Sequence, residues 1–332
     1  DSSLRLVGSE MCIRDRPGAL RAAARGEVPR LSPPPGDPDL PEASLHLRAS
    51  VRRALLGIAV GDLTGRLSMP EVGRALSDVA DAAARAALQT AMRLTGAGPA
   101  MTVIAMGKWG GRELNYASDI DVVFVCEDGD ETAAAAHKVA AAFVQLLDRH
   151  GDGAFRVDAD LRPEGRHGPL VRSLRSYRAY WERWAETWEM QALLKARPAA
   201  GDRSLGRSFL ASAEPFVVPE TLGAGAVEEI RSMKGRAEQA AGGGDVEIKR
   251  GVGGIRDVEF AVQLLQLVHG RSDPALRGAN TLDALAVLGE GGYVRPADAT
   301  ALAEAYGWLR DVEHRLQLYG LRPTHTLSLI HI

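Results

Sequence analysis

The chain has 332 residues, 45% of them apolar and 25% charged, enough for two or three domains around a sizeable core. A net charge of −3, with arginines interspersed among acids, offers no field for nucleic acid. Cys12 and Cys126 cannot build a disulfide framework, which fits a reducing cytoplasm, and no apolar run reaches membrane-spanning length.

The two ends do not fit their neighbourhoods. Met11 to Arg16 and Leu327 to Ile332 resemble translated sequencing-adapter read-through, so they are set aside and the chain is expected to be a fragment. Residues 28–43 are proline-rich and read as a linker or disordered lead-in without helix. Residues 44–65 carry Leu45, Val51, Leu55, Ile58 and Leu63 between arginines, an amphipathic helix. Ser68-Met69-Pro70-Glu71 is a capping box with an early proline. The helix it opens runs to about Leu94, with Val72, Leu76, Val79 and Ala83 on one face. Both helices read as packing elements.

Thr102 to Met106 is β-branched and apolar and predicts a buried strand. A glycine turn follows, Gly107-Lys108-Trp109-Gly110-Gly111, and then Ser118-Asp119-Ile120-Asp121 runs into Val122-Val123-Phe124-Val125. On a strand, Ile120, Val122 and Phe124 share one face and Asp119 and Asp121 the other. Two carboxylates so placed repel each other unless a cation lies between them, and Mg²⁺ accepts a few carboxylates plus phosphate oxygens. The glycines allow backbone N–H groups close to a phosphate, and Lys108 adds charge. The alternative is a solvated hairpin with a charged edge; the position of the D-x-D after a Gly-Gly turn and a buried strand favours a metal-phosphate site.

Residues 131–149 show Val139, Phe143, Leu146 and Leu147 at helical spacing, closed by Gly151-Asp152-Gly153. Ala154 to Leu161 alternates and predicts a third strand of the same sheet, with Arg156, Asp158, Asp160 and Arg162 on its polar face beside Asp119 and Asp121. Arg162 suits a phosphate clamp or, equally, a salt bridge to Glu164 or Asp160. Ser173 to Arg197 predicts one long helix whose stripe of Tyr177, Tyr180, Trp181, Trp184 and Trp188 reads as core. Glycine-bearing loops at 221–226 and 241–245 flank a helix from Val227 to Ala240. Glu247 to Phe260 reads as a short strand, a glycine turn with Gly253 and Gly254, and a helix start able to bind an anion, with Lys249 and Arg256 adding charge. Glu259, an acid in an apolar run, either reaches that site or pairs with Arg256. Two further helical segments fill 281–318, where His314 reads as a packing or surface histidine.

The motif G-K-W-G-G-R-E-L-N-Y-A-S-D-I-D resembles the nucleotidyltransferase signature of the bifunctional glutamine synthetase adenylyltransferase/adenylyl-removase family, within the DNA polymerase β-type superfamily. The segment Val157 to Gly165, the K-A-R of Lys195 to Arg197 and the glycine turn before Arg256-Asp257-Val258-Glu259-Phe260 resemble further family elements, in family order, over about Leu45 to Leu327. The resemblance implies that Asp158 is a third carboxylate, so that Asp119, Asp121 and Asp158 bind Mg²⁺ and are catalytic. It implies that Gly107, Lys108, Gly110, Gly111 and Ser118 hold the phosphate chain, with Arg162, Lys195, Arg197, Lys249, Gly253 and Gly254 as further phosphate contacts. Asp160 departs from the pattern, since relatives carry a basic or amide residue there.

Full-length members resemble two such halves in tandem. One removes AMP from a glutamine synthetase tyrosine by phosphorolysis, giving ADP, and the other transfers AMP from ATP to that tyrosine. The wording of the box here is more similar to the first half. The implied partners are glutamine synthetase, ATP/ADP, inorganic phosphate and a PII signal protein, with no nucleic acid and no membrane. The expected fold is α+β: a small mixed sheet of nucleotidyltransferase type in a mostly helical protein with a C-terminal helical bundle. Its expected divisions are a lead-in over 1–43, a helical segment over 44–98, a catalytic domain over 99–200, a helical domain over 201–327 and a tail over 328–332. The rival readings are another transferase of the superfamily, such as a protein uridylyltransferase, and a nucleotide-sensing module without turnover.

Overall fold

The apolar runs on either side of the glycine turn pair as antiparallel strands β1 (Met101–Ala105) and β2 (Ile120–Cys126), with Val103 opposite Phe124. This is a computed structural model, and it describes residues 31–148, 153–220, 225–239, 246–320 and 322–327. The adapter-like stretch at 11–16, Gly151-Asp152, the loop at 241–245 and the tail at 328–332 lie outside the described residues. A third strand, β5 (Arg197–Gly201), adds antiparallel to β1 with a register shift at Val103/Ile104. The other edge of β2 takes two short parallel strands in succession, β3 (Val157–Asp158) and β4 (Val171–Ser173).

Side-chain alternation along β2 gives the sheet two different faces. Ile120, Val122 and Phe124 pack under α1 (Leu40–Leu63), α2 (Met69–Thr95) and α4 (Asp130–Leu147), in one core with Leu47, Val51, Leu76, Val79, Val139 and Phe143. On the opposite face Val123 and Val125 meet Tyr177 and Trp181 of α5 (Leu174–Trp184) and Leu205 and Phe209 of α7 (Arg203–Val217). A one-turn helix α3 (Gly107–Gly110) follows β1 directly. The remaining helices are α6 (Thr187–Leu193), α8 (Ala226–Gln239), α9 (Ile255–His269), α10 (Thr281–Glu290) and α11 (Pro296–Gly320). Ile255, Val258, Val262, Leu285, Leu288 and Tyr306 form a separate core between α9, α10 and α11. Val246–Glu247 (β6) pairs with Thr326–Leu327 (β7). The mixed sheet embedded in helices is the α+β architecture that the sequence predicts. Among the described residues no helix is long and apolar enough to cross a membrane.

Three local expectations fail, each for a side-chain reason. Residues 40–43, read as proline-rich linker, are the first turn of α1: the Asp39 carboxylate accepts from Glu42 N at 2.9 Å, and Pro41 sits where a helix needs no N–H. The strand expected over 154–161 is only two residues long. Asp158 Oδ1 accepts from Asp160 N at 2.8 Å, and Arg162 N donates to Ala159 O, so the chain turns instead of extending. The single helix expected over 173–197 breaks at Ala185, which is extended, and restarts from a second capping box, Glu186 with Glu189. The aromatic stripe therefore splits: Tyr177 and Trp181 are core, Trp184 is exposed and Trp188 lines a cavity.

Candidate active site

Alternation puts Asp119 and Asp121 on the Val123 face of the sheet, beyond the end of the apolar cover. The parallel register sets Asp121 directly opposite Asp158. Gly107, in the left-handed region at φ +52°, lies against the Asp121 carboxylate, and a Cβ there would overlap it. Burial pushes Asp121 up to about 7, with the charges of Asp158 and Asp119 adding to the rise. Asp119 is also raised, first by burial; the Arg156 guanidinium, 3.8 Å away, pulls it back and Asp158 pushes it further.

Among the described residues, no three His, Cys, Asp or Glu side chains are already grouped as an ion-holding cluster. Half of the Asp158 carboxylate is engaged by its own turn. The chemistry of the donors still suits a hard dication. Asp119 and Asp121 line the cavity, and the mutual repulsion of their carboxylates is what such an ion relieves.

The cavity next to these acids measures about 510 Å³. Gly107, Lys108, Ser118, Lys195 and Lys249 line it, as do Arg256 and Glu259. Glu259 thus reaches the site. Burial pushes its carboxyl up, and the cations Lys108, Lys195 and Arg310 outweigh that, holding it below the usual carboxylate range. Burial lowers Lys108 to about 8, opposed by the facing Glu313.

Beneath the cavity lies a network of buried charge. Lys195 Nζ is ion-paired to Glu113 and donates to Thr281 Oγ1 at 3.1 Å. Glu113 also accepts from Thr281 N at 3.1 Å. Arg310, fully buried, donates to Glu113 O at 2.7 Å, to Asn115 and to Tyr306 Oη. Glu313 is held between Lys108 Nζ at 3.2 Å, Arg310 Nε at 3.1 Å and His325 Nδ1 at 2.9 Å. Ala117 N donates to Gln317 Oε1 at 2.9 Å. These contacts tie the loop before β2 to α10 and α11.

Several residues expected at phosphates do other work. A Cβ at Gly110 would collide with Lys195 O, and one at Gly111 would come 2.8 Å from Ala279 O, so both glycines serve close backbone packing. Arg197 grips Asp81 with two bonds of 2.7 and 2.9 Å, and Asp81 also accepts from Trp109 Nε1. Arg162 is buried, with Nε on Gly168 O at 3.1 Å and a terminal nitrogen on Ala159 O at 2.7 Å; Asp160 is 3.5 Å away and Glu164 pairs with Arg172 instead. The turn at Gly253 and Gly254 does not offer free amides: Gly253 N donates to Asp257 Oδ2 and Gly254 N to Gly251 O. His314 is core, edge-on to Tyr116, with burial lowering it to about 3.

Comparison with known proteins bears directly on this arrangement. Residues 35–212, which hold the whole sheet and all three aspartates, match the family model described as Glutamate-ammonia ligase adenylyltransferase. The chain belongs to that family. Residues 226–331 match the model described as GlnD PII-uridylyltransferase. Similar proteins include the bifunctional glutamine synthetase adenylyltransferase/adenylyl-removing enzyme of Streptomyces avermitilis, 48% identical over 85% of this chain and 29% of the relative. That of Mycobacterium leprae is 48% identical over 87% and 29%, and that of Mycolicibacterium smegmatis 49% over 85% and 29%. The chain thus spans under a third of the length of these relatives.

Within this member of the adenylyltransferase family, sequence reasoning missed Glu113, Asn115, Tyr306, Arg310 and Glu313. Glu113 and Asn115 stand inside the quoted box, and Arg310 and Glu313 lie three apart on α11 in line with the core residue Tyr306. Charged residues on the apolar stripe of a helix were the available signal.

Proposed function

We propose that this chain carries a nucleotidyltransferase site that removes AMP from an adenylylated tyrosine of glutamine synthetase by Mg²⁺-dependent phosphorolysis, giving ADP. The observation that carries the reading is the register of Asp121 against Asp158, with Asp119 two residues earlier, at the wall of a cavity lined by Gly107, Lys108 and Lys249. The relatives, named for glutamine synthetase, support that enzyme as the protein substrate. The match over 226–331 falls outside the sheet, so it bears on a PII signal protein as a further partner of the whole protein and not on the group transferred.

In this reaction an oxygen of inorganic phosphate attacks the α-phosphorus of the adenylyl-tyrosine in line. A phosphorus–oxygen bond forms to make ADP, the bond to tyrosine breaks, and the tyrosinate takes a proton from solvent. Mg²⁺, when bound, neutralises phosphoryl charge and steadies the entering and leaving oxygens. Asp119 and Asp121 would hold it, and Asp158, opposite Asp121 in the register, would be the third carboxylate. Lys108 and Lys249 draw the anionic substrates to the acidic wall, and Arg256 adds charge at the same cavity. No strong general base is needed, because phosphate is already largely ionised at neutral pH. The proposed setting is the cytoplasm, in keeping with a chain whose two cysteines build no disulfide framework.

The test is directional. Adenylylated glutamine synthetase plus phosphate is expected to yield ADP and the unmodified synthetase. Labelling of unmodified synthetase from ATP in its place would assign the opposite half-reaction, and neither reaction would remove the enzyme reading.

A further inference from the structure

The cavity has a second wall, of which the phosphoryl chemistry uses only the charge of Arg256. On α6, Trp188, Gln191 and Ala192 fall at i, i+3 and i+4; on α9, Arg256, Glu259, Phe260 and Gln263 fall at i, i+3, i+4 and i+7. Helical spacing therefore puts each set on one face, toward the cavity that all of them line. The two helices are joined by their amides: Gln191 Nε2 donates to Gln263 Oε1 at 2.6 Å, and both side chains are more than nine-tenths buried.

A single bond between two primary amides leaves capacity on both: Gln191 keeps its Oε1 acceptor and a second N–H, and Gln263 keeps both Nε2 hydrogens and a second lone pair on Oε1. Here Gln191 Oε1 and Gln263 Nε2 have no further partner among the described residues, and neither is shut off from the cavity. Gln191 Oε1 as acceptor and Gln263 Nε2 as donor supply the two functions that the edge of adenine calls for, since its exocyclic amino group donates and its neighbouring ring nitrogen accepts. Trp188 and Phe260, one turn before the glutamines on their respective helices, and Met233 of α8 give the same wall an apolar surface suited to a flat ring.

We infer that the Gln191–Gln263 amide pair is the base-reading subsite, selecting adenine by its donor–acceptor order while the acidic wall takes the phosphates. This rests on the nucleotide reading above. Inosine diphosphate is the discriminating ligand, because it keeps the ribose and phosphates but replaces the amino group by a carbonyl and protonates the adjacent nitrogen.

Calorimetric titration of the chain with ADP and with inosine diphosphate, both with Mg²⁺, tests the inference. ADP should bind more tightly by roughly 5- to 150-fold, the worth of one bidentate base contact. In the double variant Gln191→Met/Gln263→Met the two affinities should converge, with the thermal midpoint checked for retained fold. Equal affinities in the unaltered chain, which need no variant, would overturn the base-reading role and leave the phosphate site standing. Binding of neither nucleotide would bring down the underlying reading together with this one.

Discussion

Asp121 faces Asp158 across the parallel pair β2–β3, and the negative charge of Asp158 adds to the burial that lifts the Asp121 carboxyl to about 7. An acid whose folded-state pKa is raised binds protons in the native state that the unfolded chain has already released. Without a dication, stability from this group is therefore full below about pH 4 and is lost as pH rises to about 7. The variant Asp121→Asn should lack that decline, so its thermal midpoint without metal should exceed that of the unaltered protein at pH 8 and not at pH 4. Parallel midpoint-versus-pH curves would contradict the crowding of these carboxylates.

The buried pair of Glu113 and Lys195 makes a different prediction. Truncating Glu113 to Ala strands a buried ammonium, at a cost of about 3–5 kcal/mol. Replacing both partners, Glu113→Leu with Lys195→Met, should cost markedly less in urea unfolding. Equal losses in the two variants would show that the pair is not desolvated as described.

Arg162 separates clamp from scaffold. Its donors are engaged by Gly168 O and Ala159 O. Arg162→Ala should lose about 1–3 kcal/mol of stability through the unmade bonds to buried carbonyls, while Arg162→Lys leaves KM for phosphate within about twofold, since a residue that does not touch phosphate contributes nothing to binding it. A tenfold rise in KM with unchanged stability would restore the phosphate clamp.

Much of this molecule is legible in its sequence where one local rule decides. Ile120, Val122 and Phe124 alternate onto one core, and Ser68 with Glu71 opens α2 as a capping box. The pairing of D-I-D with a second acidic strand also follows from alternation. The rest depends on contacts that local patterns do not encode. The strand through Asp158 looks eight residues long until the Asp158 carboxylate bonds the backbone two residues on and ends it. Arg310 reaches back 197 positions to Glu113 O, and Lys195 reaches back 82 to the Glu113 side chain. Arg197 carries the charge of a phosphate contact and instead spends it on Asp81. A basic residue announces that it needs an anion, but the fold decides whether that anion is a ligand or a carboxylate.

In the proposed site Asp119 and Asp121 hold a divalent cation at the cavity wall. Binding of Mn²⁺ as a paramagnetic substitute, followed by electron spin resonance of the free ion near pH 7.5, tests it most directly. The unaltered chain should take up Mn²⁺ in competition with Mg²⁺, and Asp119→Asn and Asp121→Asn should each weaken that uptake at least about tenfold, the loss of roughly 1.4 kcal/mol. Undiminished uptake in both variants, with the fold intact, would rule out a cation held by these two aspartates.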